Sequence, residues 1–294
     1  MAVCVLFEFR ALSFNCYYMK ERKLKKRNLK DSQALVIAAF GTSSRGKAAY
    51  ETFDADVRAR LPEVHILWAY TSEIVREKTG SPGILQALAS LEEHGYRKAV
   101  VQPLQIVPGT EYQALVEMCV NFPGLRVAMG ETLFHRWQFI DEIMAAIAQD
   151  FIAKDEGINV TVAHGTPLAA DPANILYQGL DYYLTHKYPN VCFATIDGMP
   201  SMDIVLGKIA SICKPFKKAR IIPLLYVSGL HVEKDLLGED RSLRANLQSL
   251  GLQVDYLSVP HEGGSFVKSL GFYADVREAF INRIERAFNL LRYY

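Results

Sequence analysis

A nine-residue segment occurs twice in this chain, and the two copies end on different ionisable residues. PLQIVPGTE (103–111) and PLLYVSGLH (223–231) share Pro, Leu, Val and Gly in register, and they end on Glu111 and His231. Two further pairs of similar segments occur in the same order: AAFGTS (38–43) with VAHGTP (162–167), and WAYTSE (68–73) with FATIDG (193–198). All three pairs are separated by 120 to 125 residues. The sequence therefore predicts a duplicated domain, because this period is far too long for a solenoid repeat.

Each half also predicts the same alternation of strands and helices. Short apolar runs bounded by Gly or Pro are typical of strands that are covered on both faces. These predicted strands are 34–40, 64–70, 98–107, 125–130, 158–164, 190–196, 218–227 and 252–259, and the predicted helices are 47–60, 83–94, 111–121, 136–154, 172–187, 201–213, 240–250 and 273–291. Strands that alternate with helices imply right-handed crossovers and parallel sheets. The fold class is α/β, with two similar Rossmann-like or flavodoxin-like parallel-sheet domains related by internal duplication and separated by an interdomain cleft.

The N-terminal region differs in composition from the rest. An apolar stretch interrupted by Glu8 and Arg10 precedes a basic run, KERKLKKRNLK (20–30). A secretory signal has the opposite order, and the uninterrupted apolar stretch is shorter than the roughly 20 residues that span a bilayer. We therefore expect a disordered extension or a mis-assigned start, and no membrane span. The predicted organisation is an extension (1–32), an N-terminal α/β domain (33–135), a connecting helix (136–156), a C-terminal α/β domain (157–270) and a C-terminal helix (271–294).

Charge and cysteine content exclude several classes of function. The chain has a formal net charge of +1, but residues 20–30 carry a surplus of six positive charges, so residues 31–294 are mildly acidic. An acidic body argues against nucleic acid as a partner. The five cysteines include no CxxC pair, so neither a disulfide framework nor a zinc ribbon is expected. This usage favours a cytoplasmic protein, and whether it forms a homo-oligomer stays open.

Three ionisable residues follow predicted strands at equivalent places in the two halves. Ligands bind beyond the carboxyl ends of strands in open parallel sheets. Glu111 and His231 follow the third strand of each half, and His164 ends the first strand of the second half, where the first half has Phe40. Two imidazoles and a carboxylate suit a divalent metal with open coordination positions, or proton transfer. For His164 taken alone, a structural histidine is the alternative.

Other residues near the strand ends suggest substrate contacts. Gly41 and Gly165 allow sharp turns, and Thr42 and Thr166 then cap a helix or donate a hydrogen bond. Neither turn is a GxGxxG or P-loop motif, so nucleotide binding has no support. Arg241, with its basic neighbours, fits either a clamp for substrate carboxylates or a solvated helix face.

The segments LVIAAFGTS, ILQALASLEEHGYRKAVVQPLQIVPGTEY, VTVAHGTPLAADPANILY and ARIIPLLYVSGLHVEKDLLGED carry a family resemblance. The chain resembles the class II tetrapyrrole chelatases, in particular the anaerobic sirohydrochlorin cobaltochelatases of the long, internally duplicated type. The resemblance covers roughly residues 33–290. It departs from the family pattern in three places: no second histidine follows the HGT motif, Leu230 stands where the family favours an acid, and Asp197 stands where the family often has a glutamate.

The resemblance implies both an activity and a site. The expected reaction is insertion of Co²⁺ into sirohydrochlorin, in a chelatase-like fold and with no cofactor beyond the divalent metal substrate. It implies that His164, His231 and Glu111 bind the metal and that a histidine accepts protons from the pyrrole nitrogens. The substrate-binding candidates are Gly41, Thr42, Gly165, Thr166 and Arg241. Insertion of Fe²⁺ or Ni²⁺ into a related tetrapyrrole, and a non-catalytic metal or tetrapyrrole carrier, remain alternatives.

Overall fold

The computed structural model describes residues 29–42, 46–229, 232–261 and 264–293. The strands are β1 (Ala34–Ala39), β2 (His65–Tyr70), β3 (Lys98–Pro103), β4 (Arg126–Met129), β5 (Gly157–Gly165), β6 (Val191–Asp197), β7 (Lys218–Pro223), β8 (Gln253–Tyr256), β9 (Ser258–His261) and β10 (Gly264–Val267). The α-helices are α1 (Lys47–Arg60), α2 (Glu73–Thr79), α3 (Ile84–Glu93), α4 (Thr110–Val120), α5 (Trp137–Ile147), α6 (Ala173–Lys187), α7 (Met202–Ile212), α8 (Leu243–Ser249) and α9 (Ala274–Leu291). Most of the predicted extension 1–32 lies outside the described residues.

The two halves each form a four-stranded parallel sheet with the same strand order. The first sheet has the order β2-β1-β3-β4, and the second has the order β6-β5-β7-β8. All six residues of β1 are buried, and so are the first seven residues of β5, because each central strand is covered by helices on both faces. The predicted fold class, two similar parallel sheets from an internal duplication, is confirmed.

Two helices pack across the boundary between the halves. Helix α5 follows the first sheet but lies on α6 of the second half, where the Tyr183 hydroxyl donates to Asp141 at 2.5 Å. Helix α9 follows the second sheet but lies on the first half, where the Phe280 ring is 6.1 Å from the Phe53 ring. One apolar cluster therefore contains residues of both halves, beside a separate cluster within each half. Because each of these two helices packs on the opposite half, they hold the halves in a fixed relative position. The ends of the strands of the two sheets are therefore also fixed relative to each other.

The predicted last strand differs from the observed one. Residues 252–259 were expected to form one strand, but β8 ends at Tyr256 and the chain turns into an antiparallel hairpin of β9 and β10. The backbone N–H of Lys268 then donates to the carbonyl of Leu257 at 2.8 Å, which closes the base of the hairpin. The helix α2 was also missed, because its seven residues are too few to show a clear helical period.

In the part of the chain that the structure describes, no helix combines the length and the apolar character needed to cross a membrane.

Candidate active site

Glycines with positive φ end the central strand of each sheet. Gly41 has φ 96° and Gly165 has φ 83°, a region of backbone conformation that favours glycine. A Cβ atom on Gly165 would lie 1.8 Å from the carbonyl oxygen of Asp197, and one on Gly41 would lie 2.8 Å from the Tyr70 ring. The chain therefore turns sharply at both places. The residue before each glycine, Phe40 or His164, is exposed although the strand behind it is buried.

A buried tyrosine supports each glycine turn. The pKa of Tyr177 is raised to about 12, mainly by burial and also by the charges of Asp171 and Glu111, and a hydrogen bond with the Gly165 backbone partly offsets the rise. Burial likewise raises the pKa of Tyr50, and a hydrogen bond with the Gly41 backbone lowers it in part. Both hydroxyls therefore stay protonated near neutral pH. The two turns are built alike, as expected of duplicated domains.

The carboxyl ends of the two sheets meet through reciprocal contacts. The backbone N–H of Thr110, after β3, donates to the Asp171 carboxylate, after β5, at 3.2 Å. On the other side, Gly46, after β1, lies against Val227, after β7; a Cβ atom on the glycine would be 3.2 Å from the valine Cβ. In each case the segment after the first strand of one half contacts the segment after the third strand of the other. We call this region the junction.

Glu111 and His164 belong to the same side of the junction. Glu111 is exposed in the first turn of α4, one residue after Thr110, whose N–H is bound by Asp171. Its negative charge acts on Tyr177, whose hydroxyl is hydrogen-bonded to the backbone of Gly165, the residue after His164. The His164 side chain is exposed, and its Nδ1 lies 3.4 Å from the carbonyl oxygen of Gly165. A carboxylate from one half and an imidazole from the other thus occupy one locality.

An acidic and a hydroxyl side chain lie beside His164. Asp197, at the end of β6, pairs directly with Gly165 and is exposed. The Thr166 hydroxyl donates to Asp171 at 3.4 Å and accepts the backbone N–H of Leu168 at 3.3 Å. Thr166 therefore stabilises the loop through its own hydrogen bonds.

Three further predicted site residues are Thr42, Arg241 and His231. Thr42 is buried behind the first glycine turn. Arg241 has φ 53° and lies exposed just before α8, and no hydrogen bond or ion pair among the described residues joins it to Glu111 or His164. His231 lies outside the described residues. Within the described ranges, no cluster of three or more His, Cys, Asp or Glu side chains is placed to hold a metal ion.

Sequence reasoning missed Asp171 and the two supporting tyrosines. Asp171 precedes Pro172 and α6, and its carboxylate also accepts the backbone N–H of Ala173 at 2.9 Å, which is an ordinary helix-start pattern. The helix-start pattern can be recognised in the sequence. The bond to Thr110 cannot, because it joins residues 61 positions apart. The tyrosines follow their Gly-Thr pairs at unequal distances, because Gly165 lies eight residues before the start of α6 whereas Gly41 lies six residues before the start of α1.

The fold and the junction define a class: duplicated α/β proteins in which two parallel sheets present their carboxyl ends to one site. The solved structure of SirB from Bacillus subtilis with Fe³⁺ has a similar fold, with a TM-score of 0.59 over 89% of this chain and 98% of that chain, at 14% sequence identity. At that identity the likeness concerns the fold alone.

Sequence comparison then places the chain within a family. The model of the family described as cobalt chelatase (CbiK) matches residues 33–289, and the chain belongs to this family. The sirohydrochlorin cobaltochelatase CbiKC of Nitratidesulfovibrio vulgaris is 30% identical over 235 residues, which is 75% of this chain and 81% of that protein. The sirohydrochlorin cobaltochelatase of Salmonella typhimurium is 24% identical over 270 residues, or 88% of this chain and 97% of that protein. The predicted family is confirmed.

Proposed function

We propose that this protein inserts Co²⁺ into sirohydrochlorin, with Glu111, His164 and His231 as the residues that handle the metal. The observation that carries the proposal is the junction, where the Asp171–Thr110 hydrogen bond brings the start of α4, with Glu111, to the loop that follows His164. Membership of the cobalt chelatase family and the names of the two relatives support the reaction and its substrates.

The chemistry suits these side chains. When a divalent ion enters the macrocycle, two pyrrole N–H protons leave and no electron is transferred, so the reaction as proposed needs no nucleotide or redox cofactor. A carboxylate and imidazoles bind Co²⁺ with open positions, so the ion is held for transfer. An imidazole, whose ordinary pKa is about 6.5, is suited to accept a proton near neutral pH.

Asp197 has a supporting role in this proposal. It lies beside Gly165 through the pairing of β6 with β5, so its charge is close to the His164 backbone. An acidic neighbour orients a ligand histidine and raises its basicity. We infer that Asp197 supplies negative charge that favours both the incoming cation and the protonated imidazole.

An absorbance assay tests the function directly. Purified protein is mixed with sirohydrochlorin and Co²⁺, Fe²⁺ or Ni²⁺ in turn, and the rate of metallation is compared with that of the spontaneous reaction. We expect acceleration with Co²⁺. Faster insertion of Fe²⁺ or Ni²⁺ would favour the alternative metals, and no acceleration with any of the three would exclude the enzyme.

Variants separate a chelatase from a carrier. His164→Ala, His231→Ala and Glu111→Gln should each lower the rate by about a hundredfold or more, the scale of a lost acid–base group. His186→Ala on α6 and Glu117→Gln on α4 change exposed side chains of the same types and serve as matched controls. A carrier would still bind the macrocycle in all five variants, and even the wild-type protein would not accelerate metallation.

A further inference from the structure

Phe40 is a large apolar side chain exposed at the junction. Its side chain is 59% exposed, whereas Ala39, the residue before it, is 2% exposed. Burial of a phenylalanine side chain away from water is favourable, and the fold of the isolated chain leaves most of the Phe40 ring exposed. The exposure occurs at the carboxyl edge of the sheet, where ligands of parallel α/β folds bind.

The backbone holds Phe40 in the same way as it holds His164. Phe40 directly follows β1 and His164 is the second-last residue of β5, and both precede a glycine with positive φ that is supported by a buried tyrosine. The carbonyl oxygen of Phe40 accepts the backbone N–H of Ser72 at 3.1 Å, which fixes the peptide that carries the ring. The first half thus presents an aromatic ring from the position at which the second half presents an imidazole.

The surroundings of Phe40 belong to the proposed site. The backbone N–H of Leu104 donates to the carbonyl of Ala38 at 2.8 Å, so β1 ends beside the segment that leads to Glu111. Gly46, six residues after Phe40, contacts Val227 of the other half. Phe40 therefore follows β1 at the edge where β1 and β3 end, and the segment that follows β7 contacts the same connection at Gly46.

We propose that Phe40 stacks on one face of the tetrapyrrole and sets the affinity for the macrocycle. This inference rests on the proposed function and adds a substrate-binding residue to it. A conjugated macrocycle offers a flat π surface, and offset stacking of an aromatic ring adds to the gain from apolar burial. The stacked ring shields one face from water and holds the pyrrole nitrogens level with the junction, where Glu111 and His164 lie.

The test measures macrocycle binding apart from turnover. Quenching of sirohydrochlorin fluorescence without metal gives the Kd for the wild-type protein, Phe40→Ala, Phe40→Leu and Phe40→Tyr. We expect the alanine variant to raise the Kd about three- to tenfold, the scale of one aromatic pair. Tyr should preserve the wild-type Kd, Leu should be intermediate, and the KM for Co²⁺ should not change in any variant.

The matched control is Leu290→Ala. Leu290 is 49% exposed on α9, next to Leu291, whose carbonyl accepts from Lys98 at the opposite edge of the first sheet. Its removal should leave the Kd unchanged. Because Phe40 is exposed, its variants should fold, and each is checked by its thermal unfolding midpoint.

The outcomes for Phe40 and for the proposed function are distinguishable. If the wild-type protein metallates the macrocycle and Phe40→Ala binds it equally well, the inference about Phe40 is overturned and the function stands. A leucine variant that matches the wild type would also overturn stacking. If the wild-type protein binds the macrocycle without metallating it, the function falls and the Kd values still decide the role of Phe40. A wild-type protein that binds no macrocycle overturns both.

Discussion

The carboxylate of Asp171 accepts the backbone N–H of Thr110 across the boundary between the two halves, at an N···O distance of 3.2 Å. The same oxygen accepts the backbone N–H of Ala173 at 2.9 Å, at the start of α6. The Asp171 side chain thus accepts hydrogen bonds from the first residue of α6 in the second half and from the first residue of α4, the helix that carries Glu111. We therefore expect the relative position of Glu111 and His164 to depend on this contact.

Asp171→Ala should therefore weaken both stability and catalysis. Loss of the three accepted hydrogen bonds, from the Thr110 and Ala173 N–H groups and the Thr166 hydroxyl, should cost about 1–2 kcal/mol of unfolding free energy, the scale of a lost helix cap. The rate of metallation should fall because the start of α4 is no longer bound to the loop after His164. Asp171→Asn keeps one accepting oxygen and should be intermediate in both measurements. Urea denaturation and the absorbance assay provide the two readings.

The control for this prediction is Asp155→Ala, an exposed aspartate in the turn before β5. It should leave both quantities within the small range typical of surface substitutions, about 0.5 kcal/mol. Equal activity of Asp171→Ala and the wild-type protein would show that the contact does not position Glu111.

Tyr177→Phe and Tyr50→Phe test whether the two glycine turns have separate roles. Each variant removes one hydroxyl that is hydrogen-bonded to a glycine backbone and should cost about 1 kcal/mol of unfolding free energy. Tyr177 supports the turn after His164, so its variant should lower kcat. Tyr50 supports the turn after Phe40, so its variant should instead raise the KM for the macrocycle. Steady-state kinetics with saturating Co²⁺ separate the two effects, and identical kinetic changes in both variants would refute the division.

Gly165→Ala should be far more damaging than Gly80→Ala. Both glycines have positive φ, so each substitution carries a backbone cost of about 1–2 kcal/mol. Nothing lies within 4 Å of a Cβ atom at Gly80, whereas at Gly165 that atom would overlap the carbonyl of Asp197. To make room for this Cβ atom, β5 and β6 would have to separate at the strand end that carries His164. We expect Gly165→Ala to be inactive with a clearly lower thermal midpoint, and Gly80→Ala to remain active; similar midpoints would argue against the tight turn.

The pH dependence of stability should reveal the ion pairs of Glu131. Burial raises the pKa of Glu131, but the hydrogen bond from Arg136 and the positive charges of Arg286, Arg136 and His135 outweigh it and leave the pKa below its ordinary value of 4.5. A carboxyl with a lowered pKa in the folded state stabilises the protein above the unfolded-state pKa, and this contribution is lost as the pH falls through the folded-state value. Glu131→Gln should thus be destabilised relative to the wild type at pH 6.5. The difference should shrink as the pH falls below 4.5, and a difference that stays constant would contradict the ion-pair assignment.

The sequence predicts the positions of the first seven strands because they are short apolar runs, but it does not predict the hairpin of β9 and β10. It also places His164 correctly at the end of the first strand of the second half, whereas Glu111 lies in the first turn of α4, eight residues after the last residue of β3. It does not predict which sheet α5 and α9 cover. The pattern of an amphipathic helix shows which face is buried but not which element that face packs against. Asp171 was missed for a similar reason: its bond to Thr110 is a long-range contact that no local pattern encodes.

The buried Arg283 of α9 should be important for stability, because this helix crosses from the second half to the first. Its side chain is 3% exposed, its Nη2 donates to the carbonyl of Leu133 at 2.8 Å, and its guanidinium lies 4.5 Å from the centre of the Phe139 ring. Burial lowers the pKa of Arg283 to about 10, so the group stays charged at neutral pH.

Arg283→Ala leaves a cavity and an unpaired carbonyl, and should cost about 3–5 kcal/mol of unfolding free energy. Arg283→Met fills most of the volume and should cost clearly less, because an apolar side chain of similar length needs no partner there. Arg58→Ala, which removes an exposed pair with Asp54 on α1, is the control and should cost about 0.5 kcal/mol or less. Urea denaturation of the three variants at pH 7 ranks them. If Arg283→Met proves as unstable as Arg283→Ala, the hydrogen bond to Leu133 and the cation–π contact, rather than the filled volume, hold α9 on the first half.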